Sequence, residues 1–188
     1  MKKVVLVTVL TVLGLSNVNA QKKNKFGAKA GLNFAFITGD NSEDLDPNTD
    51  FHFGLLAEIP LSEKFSFQPE LIYSGQGAEL NIASEGRINL NYLNLPLIGK
   101  YYVTKQLSLE AGPQIGYLLS TKGGTLDYKD LLKPIDYGVN FGFGYKLDNG
   151  LNFSARYNLG LSNINDVDGF TDKNRNGVFQ LSVGYFFK

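Results

Sequence analysis

Cysteine and tryptophan are both absent from the 188 residues. Without thiols the chain has no disulfide staple, no thiolate nucleophile and no zinc–cysteine site. Histidine occurs once, as His52, which removes any multi-histidine metal centre. Charged residues are sparse at 19% and balanced, 18 basic against 18 acidic, so the basic field that nucleic-acid binding needs is missing. Nothing in the sequence calls for a cofactor. What the chain has instead is 21 glycines, 14 phenylalanines and 10 tyrosines, with an ordinary hydrophobic content of 43%. The length suits one domain.

The first twenty residues read as an address. Met1-Lys2-Lys3 is a positive start, Val4 to Leu15 is an uncharged and mostly apolar run, and Val18-Asn19-Ala20 suits a signal peptidase. The apolar run is too short to cross roughly 30 Å of hydrocarbon as a helix. Residues 1–20 are therefore expected to be a secretory signal cleaved before Gln21, and residues 21–188 the mature domain. No cysteine follows the cleavage point, so a lipoprotein is excluded.

The mature chain holds no helical span, and its apolar residues repeat with period 2. From Leu107, one face carries Leu107, Leu109, Ala111, Pro113, Ile115, Tyr117 and Leu119, the other Ser108, Glu110, Gly112, Gln114, Gly116, Leu118 and Ser120. Alternation of that length predicts a strand longer than those usual in soluble sheets. The same pattern predicts strands over Phe26–Ile37, Phe51–Pro60, Phe65–Gln76, Leu93–Val103, Ile135–Leu147, Leu151–Leu161 and Phe179–Phe187, making eight in all.

Connections alternate in length. Ser62-Glu63-Lys64, Thr104-Lys105-Gln106 and Asp148-Asn149-Gly150 are short, whereas Thr38–Asp50, Gly77–Arg87, Thr121–Pro134 and Ser162–Asn176 are long and polar. An even strand number with short turns at one end and long loops at the other is the layout of an all-β, antiparallel, up-and-down outer-membrane barrel. The short turns and both termini are then periplasmic. A soluble lipocalin-like ligand-binding barrel demands the reverse faces, apolar inward and polar outward. The polar face carries Gly112, Gly116, Gly138, Gly142, Gly144 and Gly160 around isolated charges. That mixture suits a narrow interior, and the apolar face suits lipid with aromatic girdles.

Parity and turn length set the hairpins, because paired residues share a face. A three-residue turn at 104–106 places Lys100 opposite Glu110, and the turn at 148–150 places Arg156 opposite Gly142. The turn at 62–64 pairs Glu58 with Gln68, one step below Glu70. These residues predict a polar layer of Lys29, Glu58, Glu70, Lys100, Glu110 and Arg156 at mid-lumen. It reads as a packed ion network, with a gate or proton path as the functional alternative.

Other sites are thin. His52 lies on the inward face near the loop end of the second strand, but spacing assigns it no serine or aspartate partner for hydrolysis. Asp172-Lys173-Asn174-Arg175-Asn176-Gly177 opens like a calcium loop, yet its twelfth position is Val183 instead of glutamate. The bland reading is a polar turn, and the other a weak ion site shared with Asp166 and Asp168. Asp40, Glu43, Asp44, Asp46 and Asp50 make the first long loop acidic, suited to solvation or to cation bridging with lipopolysaccharide or a partner. Pro69, Pro96 and Pro113 fall inside strands, where each deletes a ladder donor, so bulges or loosened pairing are expected there.

The same prolines carry a family resemblance. Gln68-Pro69-Glu70-Leu71-Ile72-Tyr73-Ser74, Tyr92-Leu93-Asn94-Leu95-Pro96-Leu97 with Lys100-Tyr101, and Gly112-Pro113-Gln114-Ile115-Gly116-Tyr117 resemble recurring segments of the PorT-like outer-membrane β-barrel family. Asp136-Tyr137-Gly138, Arg156-Tyr157 with Gly160-Leu161, and Val178-Phe179-Gln180-Leu181-Ser182-Val183-Gly184-Tyr185 extend it over nearly all the mature chain. The resemblance implies a small barrel in the outer membrane of a Gram-negative bacterium, and its founding type is associated with protein secretion. One departure is Lys188, which follows the terminal aromatic Phe187.

The expectation is a non-enzymatic, monomeric outer-membrane barrel with a side-chain-filled lumen and surface loops for binding. Its expected partners are outer-membrane lipid or lipopolysaccharide, the barrel-insertion machinery, and a surface or secretion-machine protein. The alternatives are an accessory of a PorT-like secretion machine and a lipid-modifying barrel enzyme.

Overall fold

The computed structural model describes residues 24–39, 45–80, 87–123, 132–164 and 174–187. Period-2 alternation becomes eight strands: β1 (Lys25–Gly39), β2 (Leu45–Pro60), β3 (Phe65–Leu80), β4 (Arg87–Tyr102), β5 (Leu107–Gly123), β6 (Ile135–Lys146), β7 (Leu151–Gly160) and β8 (Asn174–Phe186). Each pairs antiparallel with its sequence neighbours, and β8 pairs with β1 to close the barrel. Closure leaves no free edge, as a sheet surrounded by hydrocarbon requires.

The apolar faces point outward all round. Leu55 is 61% exposed, Leu109 55% and Phe143 55%, while Lys29, Glu70, Glu110 and Arg156 are buried inside. This arrangement is the reverse of a lipocalin-type barrel and overturns that alternative. Aromatic rings cluster on the outer wall, with Tyr73 tilted against Phe53 at 5.2 Å and against Phe51 at 6.2 Å between ring centroids.

Three tight turns join the strands at one end. Ser62 Oγ accepts from the amides of Lys64 and Phe65, and Thr104 Oγ1 from those of Gln106 and Leu107. Asn149 Oδ1 accepts from Leu151 N, and Gly150 takes φ +98°, a conformation glycine adopts at no steric cost. These turns fix the hairpin registers: Lys100 opposes Glu110, and Gly142 opposes Arg156.

Several expectations need correction. Strands β1 to β5 and β8 run further toward the long-loop end than alternation indicated, which shortens the loops. Backbone pairing continues there, but the inner face turns apolar, with Leu90, Tyr92 and Leu118 buried, so the polar-in, apolar-out alternation of the rest of the wall no longer marks the strands. Asp46 and Asp50 therefore belong to β2, not to a loop. At Pro69, Pro96 and Pro113 the expected loosening of pairing is present, but no bulge is. The register shifts instead between Pro47 and His52 on β2 and between Asn91 and Tyr92 on β4.

The prolines act differently. Leu61 N donates to Phe65 O, Tyr102 N to Lys64 O and Val103 N to Leu107 O, which sets the phase of three consecutive ladders. Stepping two residues at a time, the missing donors of Pro69, Pro96 and Pro113 face the carbonyls of Ala57, Glu70 and Leu97 respectively. Three neighbouring seams thus each lose one bond at nearly the same height, with register intact on both sides.

The predicted signal at residues 1–20 lies outside the described residues, as do Asp40, Glu43, Asp44, Asp166, Asp168, Asp172 and Lys188.

Candidate functional site

The lumen is filled in three layers. The layer nearest the short turns is a chain of alternating charges. Glu70, inward on β3, meets Lys29 Nζ at 2.8 Å and an Arg156 terminal nitrogen at 2.8 Å. Arg156 Nε reaches Glu110 at 2.6 Å, and Lys100 Nζ lies 2.9 Å from the other Glu110 oxygen. Lys100 stands 3.8 Å from Glu58, which Lys146 Nζ approaches at 2.5 Å. The six sequence-selected residues come together in this chain, and Lys146 extends it to the rim.

Neutral groups complete the shell. Gln68 Nε2 donates to Glu70 Oε1 at 2.6 Å, and its Oε1 accepts from Lys100 at 3.2 Å. Tyr102 OH donates to Glu58 Oε2 at 2.9 Å and accepts from Lys146 at 2.7 Å. The Lys146 ammonium also sits 4.7 Å from the Tyr102 ring centroid. Each charge meets an opposite partner, which offsets the desolvation of ions held away from water. Gly142 leaves room for Arg156, because a Cβ there would stand 2.8 Å from the Arg156 Cα.

Above this lies a neutral polar layer centred on His52. Asn33 Nδ2 donates to Gly75 O at 2.6 Å and to Ser74 Oγ at 2.9 Å. A carbonyl only accepts, so this bond fixes the Asn33 amide with Oδ1 toward His52 and Gln180. His52 Nδ1 must then carry the proton toward Asn33 Oδ1 at 2.8 Å. That leaves Nε2 to accept from Ser182 Oγ at 2.8 Å. The order Ser182–His52–Asn33 is that of a nucleophile, base and orienting amide. His52 and Asn33 are buried at 1% and 0% exposure, however, and the layers above and below enclose them.

The third layer is apolar. Leu90, Tyr92, Leu118 and Ile164 form a buried cluster, joined by Ile37, Ile88 and Leu132. Segments beyond the strands are tied into this cap: Leu118 N donates to Pro134 O, Lys133 N to Ile164 O and Ile164 N to Asn174 O. The cluster lies at the long-loop end of the lumen.

Asn174 to Gly177, the second half of the calcium-like motif, are strand residues paired with Phe36 to Gly39, while Asp166, Asp168 and Asp172 lie outside the described residues. Asn176 Nδ2 donates to Asp136 Oδ2 at 2.9 Å and to Tyr92 OH at 3.3 Å, and Ser162 Oγ donates to the other Asp136 oxygen. Among the described residues no three acidic, histidine or cysteine side chains gather to hold a metal.

Sequence reasoning missed Lys146, Tyr102, Asn33 and Ser182. Parity alone turns Lys146 and Tyr102 inward, but a tyrosine at a strand end also reads as part of an interfacial girdle. Ser182 meets His52 only because β8 closes on β1, and no turn length encodes that register.

The geometry agrees with comparison to known proteins. The sequence profile described as outer membrane protein beta-barrel domain matches residues 19–166. No curated protein sequence matches significantly. Among solved structures, Neisserial surface protein A superposes with TM-score 0.60 at 14% identity, covering 88% of this chain and 100% of that one. Ail, the attachment invasion locus protein of Yersinia pestis, gives 0.54 at 12%, with the same coverage of 88% and 100%. OprG of Pseudomonas aeruginosa gives 0.51 at 13%, covering 91% and 99%. At such identities these likenesses speak for the fold alone. With its closed eight-stranded wall, lipid-type exterior and matching profile, the chain belongs to the outer membrane protein beta-barrel domain family and is an outer-membrane protein.

Proposed function

We propose that this protein is a non-enzymatic outer-membrane barrel that works at its surfaces, through its long-loop end, and does not conduct through its lumen. The observation that carries this reading is the filling itself. An apolar cap, a hydrogen-bonded amide–imidazole layer and an alternating ion chain succeed one another along the axis. Eight-stranded walls enclose a space that side chains can fill, and here the charged groups within it are paired. Binding is then left to the segments joining β1 to β2, β3 to β4, β5 to β6 and β7 to β8, which lie on the outside when the short turns are periplasmic. Purified protein inserted in a planar lipid bilayer should give no steady conductance, and a stable open channel would overturn the reading.

Residues 1–20 serve, in this reading, as a cleaved export signal, and N-terminal sequencing of the membrane-extracted protein should begin at Gln21. The segments shared with PorT-like barrels, such as Gln68 to Ser74, favour one alternative, an accessory of a secretion machine. That role calls for a secretion component to co-purify stoichiometrically from native membranes. Enclosure of Ser182 and His52 argues against a lipid-modifying enzyme, and unchanged lipid profiles in a His52→Ala strain are the matching expectation.

A further inference from the structure

The short-turn mouth of the lumen holds a cavity of about 320 Å³ below the ion chain. Several strands bring its lining together. Lys25 opposes Glu58 across the β1–β2 seam, and Ser66 precedes inward Gln68 by two residues on β3. Lys105 lies on the turn from β4 to β5, and Gln106 O of that turn accepts from Lys146 N. Lys25, Lys105 and Lys146 thus surround one opening.

Charge at this end does not balance among the described residues. Lys29, Lys100, Lys146 and Arg156 alternate with only Glu58, Glu70 and Glu110, which leaves the chain one positive charge in excess. At the mouth Lys25 and Lys105 accompany only Glu63, which adds a second. Lys64 and Asp148, on turns of the same rim, cancel each other. Donors are in excess as well. Lys146 directs two of its three ammonium protons at Glu58 and Tyr102. Both Glu58 oxygens are taken by Lys146 and Tyr102, so no bare carboxylate faces the cavity floor. Ser66 is 3% exposed, and its hydroxyl has no hydrogen-bond partner among the described residues. A buried hydroxyl in that position calls for an acceptor inside the cavity.

We propose that this mouth binds one small soluble phosphate, as the free ion or a compact ester, held by Lys25, Lys105, Lys146 and the Ser66 hydroxyl. Water satisfies a hydroxyl but leaves two positive charges uncompensated. A phosphate dianion matches both charges and offers an oxygen to each donor, whereas a carboxylate neutralises one charge. The lining belongs to the inward face of the wall, so the ligand arrives from water and not from the surrounding lipid. With the short turns periplasmic, that water is the periplasm. The site is independent of whether the lumen conducts.

The test is a phosphorus NMR titration of the full barrel in nonionic detergent at fixed ionic strength. Inorganic phosphate and glycerol phosphate are titrated separately, which tells the free ion from an ester. Saturable binding of at least one of them, at a single site, is expected. Lys25→Gln/Lys105→Gln should weaken it at least about tenfold. Ser66→Ala removes no hydrogen bond from the unliganded barrel and should weaken it at least about threefold. Lys64→Gln, on the same rim but outside the cavity, should leave it unchanged. Sulfate should displace the phosphate, and acetate at equal concentration should not. Heat-modifiable migration checks that each variant is folded, and Ser66→Ala decides alone if the double variant is not. Absence of saturable binding by both probes overturns the proposal. So does binding that the cavity substitutions leave intact, a loss on Lys64→Gln as large as that of the double variant, or displacement by acetate as effective as by sulfate.

Discussion

His52 reaches Ser182 across Gly31. Gly31 pairs with His52 on one side and with Ser182 on the other, and the imidazole spans the gap to a 2.8 Å hydrogen bond. A Cβ on Gly31 would stand 2.9 Å from the His52 ring and 2.8 Å from the Ser182 Cα. Gly31→Ala should therefore destabilise the barrel by about 1–3 kcal/mol through overpacking. Urea titration of the protein in lipid vesicles measures this as a lowered unfolding midpoint.

Arg156 binds two carboxylates by close contacts, at 2.8 Å to Glu70 and 2.6 Å to Glu110. Arg156→Met leaves both acids with a single cation each, inside the barrel. Breaking a buried network by removing one partner costs about 3–5 kcal/mol. Heat-modifiable migration should be lost at a clearly lower temperature. Adding Glu70→Gln and Glu110→Gln to Arg156→Met should recover part of the loss, since the uncompensated charges are gone.

The prolines predict a gain. Pro113 faces lipid, and its missing donor faces Leu97 O. Pro113→Val supplies an amide at that point with a strand-favouring side chain, and should stabilise by about 0.5–1.5 kcal/mol. The same row predicts that wild-type amides of β3, β4 and β5 exchange with deuterium faster near Pro69, Pro96 and Pro113 than those of β6 and β7.

A charge on the lipid face should be costly at mid-wall. Phe141 is 51% exposed and points outward. Phe141→Arg should lower stability by about 2–4 kcal/mol in a bilayer. Asp46→Arg, near the long-loop end, should change it little. Refolding equilibria of the two variants in vesicles give the comparison.

Chelation should have no effect on thermal resistance. The side-chain amide of Asn176 is committed to Asp136 and Tyr92, and Val183 sits within β8 paired to Ala30. Equal heat-modification temperatures with excess calcium and with chelator are the expected result.

The sequence disclosed the parts that short-range rules control. Alternation located all eight strands where one face meets hydrocarbon, and three short turns set Lys100 against Glu110 and Arg156 against Gly142. Legibility failed where the physics is not local. The extension of β4 to Arg87 turns Ile88, Leu90 and Tyr92 inward, against the polar-in parity of the rest of the strand, and the extension of β2 to Leu45 is mostly polar, so neither continues the pattern that marks the wall. Arg156 meets Glu70, and Lys146 meets Glu58, across the barrel. Those contacts depend on shear and diameter, which individual hairpins do not determine. Ser182 and His52 lie 130 residues apart and meet only through ring closure. Of the two outcomes expected at the prolines, loosened pairing holds and bulges do not, because a lost donor removes a bond without adding a residue, and register depends on residue count.

The seam between β1 and β8 has a temporal consequence. It runs from Gly27 against Phe186 to Gly39 against Asn174, joining the first strand of the wall to the last. β1 precedes β8 by the whole length of the wall in sequence, so one edge of β1 is unsatisfied until the last strand pairs with it. Assembly is consequently all-or-none, and a chain stopped before Asn174 cannot complete a smaller ring with the same wall. Such a chain exposes two bare edges and an apolar exterior together, which marks it for aggregation or proteolysis in the periplasm. The last thirteen residues of the wall thus work as a completeness check on everything translated before them.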